Sequence, residues 1–179
     1  MQTETDLRYP IGKFHRHGEL TEDLRHRYID DIERLPARLR EAVKGLTQAQ
    51  LDTPYRPGGW TVRQLVHHIA DSHMNAYVRL KLALTEDAPL IKPYLEAKWA
   101  ELKDAKTLPV EVSLNLLDSL HQRWVSVLRS MTPAEFARTM RHPEWAEPMS
   151  LDDGLALYAW HGKHHVAHIT ELRRREGWL

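Results

Sequence analysis

The chain has 179 residues, 42% of them hydrophobic and 28% charged, which suits one soluble globular domain and is too apolar for intrinsic disorder. Its 25 basic and 25 acidic residues cancel, so no strong basic field exists to gather nucleic acid or an anionic membrane. Cysteine is absent, which excludes disulfides, thiolate metal ligands and a cysteine nucleophile, and leaves 12 histidines and six tryptophans as the excess to be explained.

The N-terminal stretch MQTETDLRYPIGKF lacks a basic region followed by an apolar run, and no window approaches the roughly 20 apolar residues of a membrane span. A cytoplasmic protein with no membrane partner is expected. Residues 1–20 are polar and irregular and read as an arm on the surface. From Thr21 to about Leu46, apolar residues recur at helical spacing (Leu24, Tyr28, Ile32, Leu35, Leu39, Val43), and Pro36 should kink or split that helix. Thr47 to Gln50 has the form of a capping box opening a short turn, and Tyr55-Arg-Pro-Gly-Gly59 is a break.

Thr61 is the expected cap of a second long helix carrying Val62, Leu65, Val66, Ile69, Ala76, Leu80 and Leu84. Residues 85–95, with Pro89 and Pro93, read as a loop, followed by a short amphipathic helix over 96–104. Ser113 opens a third long helix through Leu128. Thr132, Pro133 and Glu135 mark a short helix by N-cap, N1 and N3 chemistry. Residues 138–149 read as a loop, and Ser150 starts a fourth long helix that runs to about Arg175 and stops at Gly177. No stretch alternates with a period of two long enough to predict a strand. The expectation is an all-α four-helix bundle with short connecting helices, a single domain over 1–179, and bundle interiors are a common place for a metal or ligand site.

The fourth helix contains Trp160-His-Gly-Lys-His-His-Val-Ala-His168, four histidines in eight residues. Residues four apart share a helix face, giving two candidate pairs, His161/His165 and His164/His168. With Leu151 at zero on a helical wheel, Leu155, Tyr158, Ile169 and Leu172 fall within about 60°, His165 at roughly −40° and His161 at roughly −80°, while His168 lies further round and His164 opposite. The inward pair is His161/His165. Two such imidazoles can share a divalent cation if another helix supplies a further ligand. The second helix offers His67, His68 and His73: His73 sits mid-stripe, His67 and His68 lie on opposite flanks, and Ser72, Asn75 and Arg79 line up on the His68 side as a pocket wall would. Periodicity favours His68 over His67 only slightly.

The stretch from Thr53 to Asn75, TPYRPGGWTVRQLVHHIADSHMN, resembles the YfiT-type branch of the DinB-like proteins, as do Tyr9-Pro-Ile-Gly12 and the run from Trp160 to Leu172. The resemblance spans nearly the whole chain. It implies a four-helix bundle, a homodimer, and one divalent metal per chain, zinc first and nickel as the alternative. The metal would be held by His68, eight residues after Trp60, and by His161 and His165. It also implies a metal-dependent hydrolase acting on a small molecule. Related proteins instead join a low-molecular-weight thiol such as bacillithiol to electrophiles, which would make a small thiol a co-substrate.

Three neutral imidazoles leave positions open on a metal, the pattern of a catalytic site. Such a metal can lower the pKa of water to about 7 or deliver a thiolate, so hydrolase and thiol transferase need the same centre. Lacking cysteine, the chain must borrow any thiol. Gly162 and Lys163 stand where an H-E-x-x-H peptidase carries its glutamate base and the next residue, so that chemistry is not expected. A third reading is a non-catalytic bundle that the metal stabilises. His164, His168, His73 and Asp71 are conceivable bases, with none singled out. For any lone histidine a core or surface role is the better expectation, and His15, His17, His26, His121 and His142 read as solvated. Trp124 and Trp160 read as packing anchors. Trp60 could seat its helix or wall the pocket, and Arg79 could bind a carboxylate or form an ion pair. Arg173 to Arg175 read as a solvated helix end.

Overall fold

The structure is a computed structural model and describes residues 6–16 and 18–178; the expectation for His17 lies outside them. Four long helices carry the fold: α1 (Glu22–Val43), α3 (Val62–Thr85), α6 (Val110–Ser130) and α8 (Leu151–Glu176). Short helices α2 (Gln48–Leu51), α4 (Glu96–Trp99), α5 (Lys103–Thr107) and α7 (Pro133–Phe136) connect them. The helix starts follow local chemistry. The hydroxyl of Thr61 accepts from the Gln64 amide at 3.1 Å and the Gln64 side chain accepts from the Thr61 amide at 3.0 Å, a full capping box. Ser150 accepts from the Asp153 amide at 3.0 Å to open α8, and Gly177 closes it with a left-handed φ of 66°.

Round the bundle the helices stand in the order α1, α6, α3, α8, so the consecutive long helices α1 and α3 lie across the diagonal, as do α6 and α8. At Gly162 a Cβ would stand 2.7 Å from a Leu35 methyl, so the missing side chain lets α8 approach α1 closely. The apolar interior falls into two clusters. One holds Ile29, Ile32, Leu80, Trp124, Leu128 and Leu155, the other Leu39, Leu65, Ile69, Leu117, Ile169 and Leu172. On α3, α6 and α8 the stripe is interrupted between them, at His73, His121 and the 161–168 run.

Five expectations about these elements need correction. Helix α1 does not split at Pro36 but runs unbroken to Val43. The 96–104 helix is two helices, α4 and α5, and the third long helix starts at Val110, three residues earlier than Ser113. The 138–149 loop ends in a two-residue antiparallel pair, β1 (Thr139–Met140) with β2 (Met149–Ser150). The N-terminal segment is tied down at its end: Leu20 is buried, its amide donates to Asp152 at 3.1 Å, and Phe14 packs on the core. Asp152 also receives Arg25 through two bonds of 2.8 and 2.6 Å, a buried ion pair joining α1 to α8.

Candidate functional site

Helix α3 brings His68 and helix α8 brings His161 and His165 to one place. Each offers a ring nitrogen, and the three lie within 4.8 Å of one another. The Nε2 atoms of His161 and His165 are 3.1 Å apart, one helical turn separating the two residues. The ring of His68 is 5.5 Å from that of His161 and 5.0 Å from that of His165, with Trp60 at 4.6 Å behind it. Trp60 therefore walls the site. His67 turns to the other flank, bonding Ser113 at 2.7 Å and the Leu108 carbonyl at 3.2 Å.

Burial holds these imidazoles neutral. It pushes His68 down to about 4, and takes His161 and His165 well below the usual histidine value, assisted by their neighbouring imidazoles. Their lone pairs are thus available to a cation at neutral pH without competition from protons.

Behind His161 stands a row of further histidines. His73 Nε2 lies 3.1 Å from His161 Nδ1, His73 Nδ1 lies 3.1 Å from His121 Nε2, and His121 Nδ1 donates to the Ile32 carbonyl at 2.6 Å. His73 is wholly buried, as its mid-stripe position predicts. His121, expected in solvent, is only 2% exposed. A signal for it was present, because Leu114, Leu117, His121, Trp124 and Leu128 recur at spacings of three and four, the buried stripe of α6.

His164 and His168, placed off the inward face by the wheel, are buried too. Their Nε2 atoms are 3.1 Å apart, Trp160 stacks on His164 at 4.4 Å, and Tyr55 covers His168 at 4.2 Å. Together with His165 they form a second group of imidazoles within 4.8 Å, sharing that residue with the first. Coverage by the 55–59 turn and by Tyr9, 6.2 Å from His164, accounts for the burial. His15 and His26 are exposed as expected, and His142 is half-buried against Trp145.

A cavity of about 660 Å³ opens onto His161. Ser72 and Arg79 line it, as the polar seam predicts, whereas the Asn75 amide bonds back to the Asp71 carbonyl at 2.9 Å. Further walls come from Leu157 and Tyr158 on α8, from Glu96 at the start of α4, and from Tyr94, Met140, Trp145 and Met149, in segments that read as loops. Those segments are joined where the Ile91 amide donates to the Arg141 carbonyl and the Arg141 amide to Pro89, both at 2.9 Å. Arg79 bonds the Lys92 carbonyl at 2.9 Å, which fixes its guanidinium at the rim. Of the conceivable bases, His73 is engaged at both nitrogens and His164 and His168 bond each other. Asp71 is raised to about 6 by burial, with Asp104 adding to it. Arg173 is not merely solvated: it donates to the Ala42 and Lys44 carbonyls, tying α8 to the end of α1.

Residues 31–169 match the DinB superfamily. A protein of Bacillus mycoides (strain KBAB4) named "Putative metal-dependent hydrolase" is 60% identical, over 97% of this chain and 99% of its own length. One of the same name from Bacillus cereus (strain B4264) is 58% identical over the same shares. The solved structure of YfiT from Bacillus subtilis, described as a probable metal-dependent hydrolase with an unusual four-helix bundle topology, superposes with a TM-score of 0.95 at 51% identity, covering 97% of this chain and 99% of that one.

Proposed function

The chain belongs to the DinB superfamily, and from that premise we propose that it is a metal-dependent hydrolase whose one divalent cation, zinc or nickel, is held by His68, His161 and His165. The observation that carries this reading is the trio itself: three neutral imidazoles from two helices, one of which lines the cavity. The donor set fits a divalent ion of borderline softness and leaves at least one position for water or substrate. The metal supplies Lewis acidity that lowers the pKa of a water to about 7.

The chain's own residues do the rest. His161 and His165 present nitrogens on one face of α8, and Trp60 packs against His68 and limits its rotation. The apolar wall formed by Ile91, Met140 and Met149 excludes bulk water from a small substrate, while Arg79 at the rim attracts an anionic group on it. The outer trio of His164, His165 and His168 is the weaker candidate because Tyr55 and Trp160 cover it away from the cavity.

Elemental analysis of untagged protein, purified without metal-charged resin, tests the reading. The parent should hold about one metal per chain, His68→Ala and His161→Ala almost none, and His164→Ala/His168→Ala about as much as the parent. A parent that holds no metal after loading with zinc or nickel and removal of the excess would overturn it. Ester and amide cleavage should then be screened with and without a small thiol. Turnover that requires the thiol would replace hydrolysis by thiol transfer.

A further inference from the structure

An α-helical N–H bonds the carbonyl four residues back, and proline has no N–H to give. Pro36 therefore leaves the Ile32 carbonyl without its helical donor in the middle of α1. That carbonyl is the one His121 reaches, at 2.6 Å from Nδ1. A carbonyl only accepts, so Nδ1 of His121 carries the proton, and in the neutral ring Nε2 is a bare lone pair.

The same logic passes along the row. His73 Nδ1 must donate to His121 Nε2, which leaves His73 Nε2 bare, and His161 Nδ1 must donate to it; both separations are 3.1 Å. The rings of His73 and His121 are parallel within 9°, with centroids 5.1 Å apart, an edge-to-edge arrangement that aims an N–H along a lone pair. Trp124 and Tyr158 stand edge-on to His73 at 5.5 and 5.3 Å and fill the space water would need to break the row.

We propose that Pro36, His121 and His73 act as positioning residues that fix the proton of His161 on Nδ1 and hold its Nε2 lone pair open for a divalent cation. The proposal rests on the metal-site reading above. Among the described residues nothing comparable fixes His165, whose buried Nδ1 has no hydrogen-bond partner there. With His161 Nε2 bare, a hydrogen bond across the 3.1 Å between the two Nε2 atoms requires the His165 proton on Nε2 when no cation is bound, and His165 then has to move it to Nδ1 before it can ligate through Nε2. The two ligands of α8 are thus unequal: His161 is preset and His165 switches.

Nitrogen-15 NMR of histidine-labelled, metal-free protein reads the tautomers directly. The expected result is His161 with its proton on Nδ1 and His165 with its proton on Nε2. His73→Phe should weaken zinc binding about 10–100-fold in competition with a chromophoric chelator. His73→Gln, whose amide can both accept from His161 and donate to His121, should recover most of that loss. Pro36→Ala restores an N–H to compete for the Ile32 carbonyl. It should raise the melting temperature of the metal-free chain while weakening zinc binding by a smaller factor than His73→Phe. A residue that only packs would move both in the same direction.

Finding the His161 proton on Nε2 in the metal-free parent overturns the proposal. So does His73→Phe binding zinc as tightly as the parent, or His73→Gln binding as weakly as His73→Phe. A parent that binds no zinc sinks the metal reading, whereas the His161 tautomer, measured without metal, decides the positioning row by itself, even if a His73 variant fails to fold.

Discussion

Acidification should dismantle the histidine layer, and the structure sets the window. Burial holds His68, His121 and His164 at about 4 and His168 at about 3, against about 6.5 in the unfolded chain. The unfolded state therefore takes up protons first as pH falls. The stability these groups contribute is complete above about pH 6.5 and is lost as pH drops from there toward 4. For His121, 2% exposed, lowering the pH from 7 to 5 removes about 2 kcal/mol, since a tenfold preference for the protonated ring in the unfolded chain is worth about 1.4 kcal/mol. A few such residues rival the roughly 5–15 kcal/mol of a whole domain. Urea unfolding of the metal-free protein, followed by circular dichroism at half-unit steps from pH 7.5 to 4.5, should show the midpoint falling steeply below pH 6.5. His121→Phe removes one of these groups and should flatten that slope by close to one proton, whatever it does to stability at pH 7. A midpoint that stays level between pH 7 and 5, or a slope unchanged in His121→Phe, would refute the assignment of these rings as buried and neutral.

Asp152→Ala should cost about 3–5 kcal/mol, because it leaves Arg25 as a buried charge without its carboxylate and the Leu20 amide without its acceptor. Chemical denaturation at pH 7 measures it, and a loss below about 1 kcal/mol would contradict the burial of the pair. Gly162→Ala gains about 1 kcal/mol of helix propensity but places a methyl 2.7 Å from Leu35, which costs about 1–3 kcal/mol of overpacking. A net loss is expected, and it should vanish in a Leu35→Ala background if that contact is its cause.

The helices were legible because their signals are local. The hydroxyls of Thr61 and Ser150, Gly177, and the spacing of the apolar residues act within one or two turns of chain. The inward turn of His161 and His165 followed from the same periodicity. His121 was also written into the stripe of α6, but its polarity argued for solvent until Ile32 and His73 supplied partners for both its nitrogens.

What the amino-acid order determined by itself is therefore a bundle of four amphipathic helices, the absence of any thiol, and a histidine pair on the inner face of the last helix. Only the tertiary structure decided how those pieces meet. Periodicity left His67 and His68 nearly equal and the resemblance alone pointed to His68, because which of them faces the pair depends on how α3 packs against α8; coverage of His164 and His168 likewise depends on the distant Tyr9 and Tyr55. The cavity exists because two irregular segments, joined between Ile91 and Arg141, close over α3 and α8. Pro36 is the clearest case. Read along the chain it is a helix breaker, but a helix held by its neighbours tolerates the missing bond, and the carbonyl it frees gains a partner from a histidine 89 residues away. A hydrogen bond needs only two groups within about 3 Å, and separation along the chain says nothing about which groups the fold brings that close.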